Sequence, residues 1–266
     1  MPRKSRSSST LFTLIATVLV VLTLVLGISW LRSANWSLEA ALQKIPDNVW
    51  GAIVGQEPTK TIDNTGFDLS HPKEYSTALT VLSTLEVKDK GSQNGYSRDK
   101  FGRAWTDTDR NGCDQRNDIL ARDLNNAVED SRCRVLSGVL DDPYTLGTVD
   151  FKRGENSSSL IPIDHVVALS NAWTTGASSL NDVRRQQIAT DPLNLQATSR
   201  EANTQKSDQD ASTWLPQPGY RCEYVARQVS VKAAYGLWVT RAEKSAMEDV
   251  LNSCPDQPAY RSQFVG

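Results

Sequence analysis

The sequence predicts an α+β protein: a mostly helical, disulfide-bonded domain with a small β component, preceded by one N-terminal transmembrane helix. Three observations carry this. Residues 11–31 contain no charged side chain; beyond them, short β-favouring runs alternate with helical spacings; and all four cysteines follow the uncharged run.

The run LFTLIATVLVVLTLVLGISWL spans about 30 Å at helical rise, the thickness of a bilayer's hydrocarbon core. Arg3, Lys4 and Arg6 precede it, and the positive-inside bias retains such residues in the cytoplasm, sending everything after Arg32 across the membrane. The chain then divides into a basic cytoplasmic tail (1–10), a signal anchor (11–31), a stalk rich in Gly, Pro, Asp, Asn and Thr (32–71), a folded domain (72–256) and a C-terminal tail (257–266). A cleaved signal peptide is the competing reading. Its apolar region usually runs about 7 to 15 residues and ends at small residues, whereas this one is longer and ends at Trp30, Leu31 and Arg32, with Ser33 and Ala34 leaving a late cleavage site open. The anchored reading gives a single-pass protein of the cell membrane with its domain outside; cleavage gives a secreted one.

Outside the cytoplasm, Cys113, Cys133, Cys222 and Cys254 are free to pair. Three connectivities exist. Cys113 with Cys133 and Cys222 with Cys254 is favoured, because each pair brackets a predicted helix and closes a moderate loop. No cysteine belongs to a CxxC or CxH cluster, which argues against zinc.

Within the domain, EYSTALTVLSTL has helical spacing, and a second helix is expected from about Asp114 to Val128. RVLSGVL and LGTVDF, separated by Asp141, Asp142 and Pro143, suggest a hairpin. LIPIDHVVAL is a buried-strand pattern, DVRRQQIATD is helical, LNLQAT is a short strand, and REANTQKSD begins a helix after Ser199. CEYVARQVSVKAAYGL and RAEKSAMEDVLNSC close the domain with three-to-four spacing of apolar residues.

Lys and Arg total 29 against 31 Asp and Glu, a net charge of -2. No broad cationic field therefore draws the protein to nucleic acid or anionic lipid, and any nucleic-acid contact must be local. One acidic segment, DTDRNGCDQRND from Asp107 to Asp118, has the spacing of an EF-hand loop except for Asp in place of the final Glu. Calcium binding and simple helix capping are both open there, although no helical pattern leads into Asp107.

The chain has two histidines, His71 and His165. His165 directly follows Asp164 inside the apolar frame of LIPIDHVVAL, where polar groups require partners. Alone, such a pair reads as buried packing. Downstream, Asn194 opens the second strand, and Asn203 and Lys206 stand three apart on one face of the next helix.

An Asp-His strand, an Asn-Leu strand, then a helix with Asn and a Lys three residues later: in this order the sequence resembles the HNH, or ββα-metal, nucleases. The likeness runs from Tyr96 to Cys254 through YSRDKFGRAW, NGCDQRNDIL, DPYTLG, IDHVVALSNAW, RRQQIATDPLNLQA, NTQKSD and WLP. These landmarks look like the subfamily found as secreted actinobacterial proteins and as the C-terminal domains of GmrSD-type restriction enzymes. Ala168 departs from the pattern, since many relatives have proline there. The resemblance implies a ββα-metal core embedded in the helical domain and an endonuclease acting on DNA, or on RNA, with little sequence preference. Asp164 and Asn203 would hold a divalent cation, Mg²⁺ or alternatively Mn²⁺, and His165 would be the general base. Asn194 would orient the loop between the strands. Lys206, Arg98 and Arg116 would contact the substrate backbone, although Arg98, Arg103 and Arg116 alternate with aspartates that offer them ion pairs instead. A non-catalytic surface module that keeps the fold is the alternative. A serine hydrolase is a poorer one, because no G-x-S-x-G elbow is present. No protein partner can be inferred.

Overall fold

A computed structural model describes residues 76–154 and 159–265. The expected basic tail, membrane span and stalk, 1–71, lie outside the described residues, as does His71. Among the described residues, no helix is long and apolar enough to cross a membrane.

The domain begins with helix α1 (Ala78–Thr84), capped by the Thr77 side chain. Helix α2 (Gln115–Asp123) is capped by Asp114, whose carboxylate accepts from the Asn117 amide. The expected extension of α2 to Val128 does not occur. The chain instead turns extended at Leu124 and forms β1 (Leu124–Glu129), because Leu124 and Asn125 find register partners in Leu140 and Val139 of β2 (Val135–Asp142). β3 (Gly147–Lys152) completes an antiparallel sheet of order β1-β2-β3, with the expected hairpin as two of its three strands.

LIPIDHVVAL supplies a shorter strand than its apolar run suggests. Only β4 (Ile163–His165) is extended, and the next backbone is drawn away by Asn194: the Val166 amide donates to its carbonyl at 2.8 Å and the Val167 amide to its Oδ1 at 2.7 Å. Helix α3 (Leu169–Thr174) follows, then α4 (Asp182–Thr190), capped by Asn181. β5 (Leu195–Ala197) returns antiparallel to β4, with Asp164 opposite Gln196 and His165 opposite Leu195. Ser199 caps α5 (Arg200–Lys206), as its position predicts. The two-stranded sheet and this helix make a β-β-α unit, filled between the strands by α3 and α4.

Two longer helices close the domain, α6 (Arg221–Tyr235) and α7 (Arg241–Asn252), the latter with a reciprocal cap between Thr240 and Glu243. The disulfides Cys113–Cys133 and Cys222–Cys254 connect as expected, the first tying the loop before α2 to the β1–β2 turn, the second joining α6 to the end of α7. The C-terminal tail is docked: the Ala78 amide donates to Gln257 and the Ala259 amide to Ser76, and Ser262 Oγ donates to buried Asp191.

Three apolar clusters surround the β-β-α unit. One joins α1, α6 and α7, one lies beneath α3 and α4, and one lies between α2 and the two sheets. Arg227 of α6, 1% exposed, reaches across to β5 and donates to the carbonyls of Leu193 and Leu195 and to Gln196 Oε1. A charge buried this completely is tolerable only because its donors are matched. Their cluster fixes β5 against the helix, and thereby fixes β4.

Candidate active site

Asp164 and His165 are neighbours on β4, and both are buried, at 6% and 7% exposed. The His165 ring meets the Ala189 carbonyl at 3.0 Å through Nε2. A carbonyl only accepts, so this contact assigns the proton to Nε2 and leaves the Nδ1 lone pair free. Burial holds the imidazole pKa far below its ordinary value, to about 3, with Arg98 and Lys206 adding positive charge nearby. The ring is therefore neutral at physiological pH.

Asp164 is held from two sides. Tyr144, on the turn between β2 and β3, donates its phenol to Oδ2 at 2.8 Å, and the Lys206 ammonium lies 3.1 Å from Oδ1 and 3.0 Å from Oδ2. Desolvation raises the carboxyl pKa, while the Lys206 charge and the Tyr144 bond pull it back. Lys206 also donates to the His165 carbonyl at 2.8 Å, so one ammonium ties α5 to two successive residues of β4. The Tyr144 hydroxyl keeps its proton, since desolvation, reinforced by Asp164, raises its pKa well above the ordinary value.

Tyr144 is itself placed by Asp142, which is 0% exposed. That carboxylate accepts from the Tyr144 amide and the Thr145 hydroxyl on one side and from the Thr198 hydroxyl and Ser199 amide on the other. It thus fastens the hairpin turn to the start of α5.

A polar cleft opens over this arrangement, lined by Asp164, His165, Asn203, Arg98, Ser170 and Asp208 among others. Asn203, on α5, is partly exposed, and among the described residues its carboxamide has no hydrogen-bond partner. Arg98 belongs to a short 3-10 turn (Arg98–Phe101), is exposed, and likewise makes no side-chain hydrogen bond or ion pair among the described residues. Asp208 accepts from Ser170 at 2.9 Å. Sequence reasoning missed Asp208; its place directly after the NTQKS stretch was the available signal.

The remaining expected site residues lie elsewhere. Lys206 is 0% exposed and bonded to β4, so it does not face a substrate phosphate. Arg116 is partly buried, donates to the Ile161 carbonyl at 2.9 Å and lies over the Trp105 ring, so it braces the loop before β4. Asn194 is 0% exposed and binds only backbone: it accepts from Val167 and donates to the Val167 and Ile188 carbonyls. In the acidic loop, the Asn111 carboxamide donates to Asp109 and Asp118, and the Gly112 amide donates to Asp107. Among the described residues, no group of three or more His, Cys, Asp or Glu side chains is arranged to hold a metal ion.

The cleft nevertheless presents a donor set suited to a hard cation. Asp164 brings a carboxylate to the cleft wall, Asn203 offers an unpartnered carboxamide oxygen, and Asp208 a further carboxylate. Mg²⁺ is commonly held by one or two carboxylates with water and substrate phosphate completing the shell, so an all-protein cage is not required.

Residues 114–250 match the family model described as GmrSD restriction endonucleases, C-terminal domain. An "uncharacterized secreted protein" of Arthroderma benhamiae is 41% identical over 182 residues, covering 67% of this chain and 85% of that protein. No solved structure matches.

Proposed function

The chain belongs to the family of GmrSD restriction endonuclease C-terminal domains, and on that premise we propose that it is a metal-dependent endonuclease of the HNH type acting outside the cytoplasm. One observation supports the reading above the others: an imidazole with a free Nδ1, a carboxylate and an unpartnered carboxamide line the same cleft.

Hydrolysis of a phosphodiester needs a deprotonated water and compensation for charge that builds on the phosphate oxygens. His165 accepts the water's proton at Nδ1, while the Ala189 carbonyl holds the opposite ring nitrogen and keeps the ring aimed. Asp164 and Asn203 would hold a divalent cation, Mg²⁺ or Mn²⁺, which supplies that charge compensation when bound. Tyr144 and Lys206 act through Asp164, fixing the carboxylate's direction as positioning residues rather than touching substrate. Arg98, exposed at the mouth of the cleft, grips a backbone phosphate. Asn194 holds the β4 exit.

The two disulfides and the description of the relative as secreted support an oxidising site of action. Tethering to a membrane rests on the uncharged run 11–31 alone. The substrate is DNA, with RNA as the second polymer to test, and the near-neutral net charge implies affinity that falls with salt.

The test incubates the oxidised full chain with plasmid DNA, or structured RNA, and Mg²⁺ or Mn²⁺, with and without EDTA, beside His165→Ala. Cleavage that needs metal and drops by roughly 10²- to 10⁴-fold in the variant is expected. Failure to cut either polymer with any divalent metal, or full activity in His165→Ala, refutes the reading.

A further inference from the structure

His165 forms part of a second cleft of different character, on the side of Ala189 and Thr190. Its volume is about 270 Å³ and its walls are mainly apolar: Phe101, Ala104, Trp105, Leu169 and Ala189 contribute, with Arg98 and Arg103 at the rim. Such a volume far exceeds what a single bound water needs. Arg98, His165 and Leu169 line both clefts, so the two adjoin. Trp105 packs against the core cluster beneath the sheets, has the Arg116 guanidinium 5.9 Å from its ring centroid, and borders this cleft as well.

We propose that the apolar cleft is a nucleobase subsite in which Trp105 stacks on a base next to the scissile phosphate, making an unpaired strand the favoured substrate. This rests on the nuclease reading of the polar cleft. The chemistry is complementary across the shared wall. One side offers oxygen donors and Arg98 to a phosphate, and the other offers the Trp105 indole and apolar atoms to a flat heterocycle. A base inside a duplex has both faces covered by its neighbours, so only an unstacked base can reach Trp105. Stacking on aromatic side chains tolerates any base, because every base has a π-face.

The test measures binding of the full chain, in EDTA, to a fluorescent ten-nucleotide oligo-dT and to a ten-base-pair duplex. Wild type is expected to bind the single strand more tightly. Trp105→Ala should weaken that binding about tenfold, in line with the cost of losing one stacked base, and Trp105→Phe should restore most of it. Because Trp105 also touches the core, Ala104→Glu, on an exposed rim position, provides a variant that leaves the interior intact and should weaken single-strand binding too. Single-strand affinity unchanged in both Trp105→Ala and Ala104→Glu, or a duplex bound as tightly as the single strand, overturns the subsite while leaving the nuclease reading standing. Failure to bind either probe likewise overturns the subsite, while the nuclease reading is decided by the metal-dependent cleavage assay.

Discussion

The phenol of Tyr144 and the carboxylate of Asp164 are 2.8 Å apart, joined across twenty residues and two separate sheets. Both side chains are buried, and the phenol sits among Trp214, Tyr220 and Tyr224, so it has little freedom to turn away. The Asp142 carboxylate below it sets the turn that delivers the ring. A single hydrogen bond thereby couples the three-stranded sheet to the proposed metal ligand.

Tyr144→Phe keeps the ring and removes that bond. The expected stability cost is about 1 kcal/mol, the net worth of one hydrogen bond. Partners that orient a metal ligand commonly matter 10- to 100-fold for metal affinity or activity. The Mn²⁺ concentration for half-maximal cleavage should therefore rise by about tenfold, a change that a purely structural tyrosine would not produce. Titrating metal against initial rate for both proteins decides it.

Much of this site was legible because the informative residues are close in sequence or at fixed helical spacing. Asp164 beside His165 in an apolar strand, and Asn203 on the helix after Ser199, are local patterns. What they meet is not local. Nothing in REANTQKSD says that Lys206 folds down onto β4 rather than outward, because that depends on how deeply α5 sits against the strand. Likewise the helix expected from Asp114 to Val128 stops at Asp123, although NNAV is compatible with a helix; the pairing with β2 overrides it, a tertiary effect that local propensity does not register. The bends after His165 and at Asn194 depend on one another in the same way.

Lys206 and Asp164 form a buried ion pair, with the ammonium 0% exposed. Removing one partner strands the other charge, so Lys206→Met should destabilise the domain by about 3 kcal/mol or more. The double variant Lys206→Met with Asp164→Leu should be more stable than Lys206→Met alone, because no buried charge is left unmatched. Urea unfolding of the four proteins measures the coupling. If the two single-variant costs simply add in the double variant, the pair does not act as one buried unit.

His165 gives a prediction independent of cleavage. Its folded pKa, about 3, lies below the ordinary 6.5 because burial disfavours the imidazolium. The unfolded chain therefore binds the proton first: stability is full above about pH 6.5 and is lost progressively as pH falls toward 3. In metal-free protein, the His165 ring carbon resonances should stay flat between pH 8 and 5, with assignment against His165→Gln. A midpoint near 6.5 would show an exposed ring and contradict the Ala189 contact.

Asp130 sits in the β1–β2 turn, where its carboxylate accepts from the Arg134 guanidinium at 2.8 Å and from the amides of Arg132 and Arg134. The Arg134 bonds, side chain first and then backbone, depress its pKa from 3.8 to about 2. A depressed carboxyl contributes stability that is present above the unfolded value near 3.8 and disappears as pH falls through about 2. Asp130→Ala should accordingly melt below wild type at pH 7, and the gap should close as pH approaches 2, where the native carboxylate is itself protonated. The turn also carries Cys133, whose disulfide pins it to the loop before α2. The comparison therefore belongs in oxidised protein, where the cross-link holds the turn in place and the pH-dependent part of the difference reports on the carboxylate. A gap of equal size at pH 7 and pH 2 would assign the Asp130 effect to lost turn geometry rather than to charge.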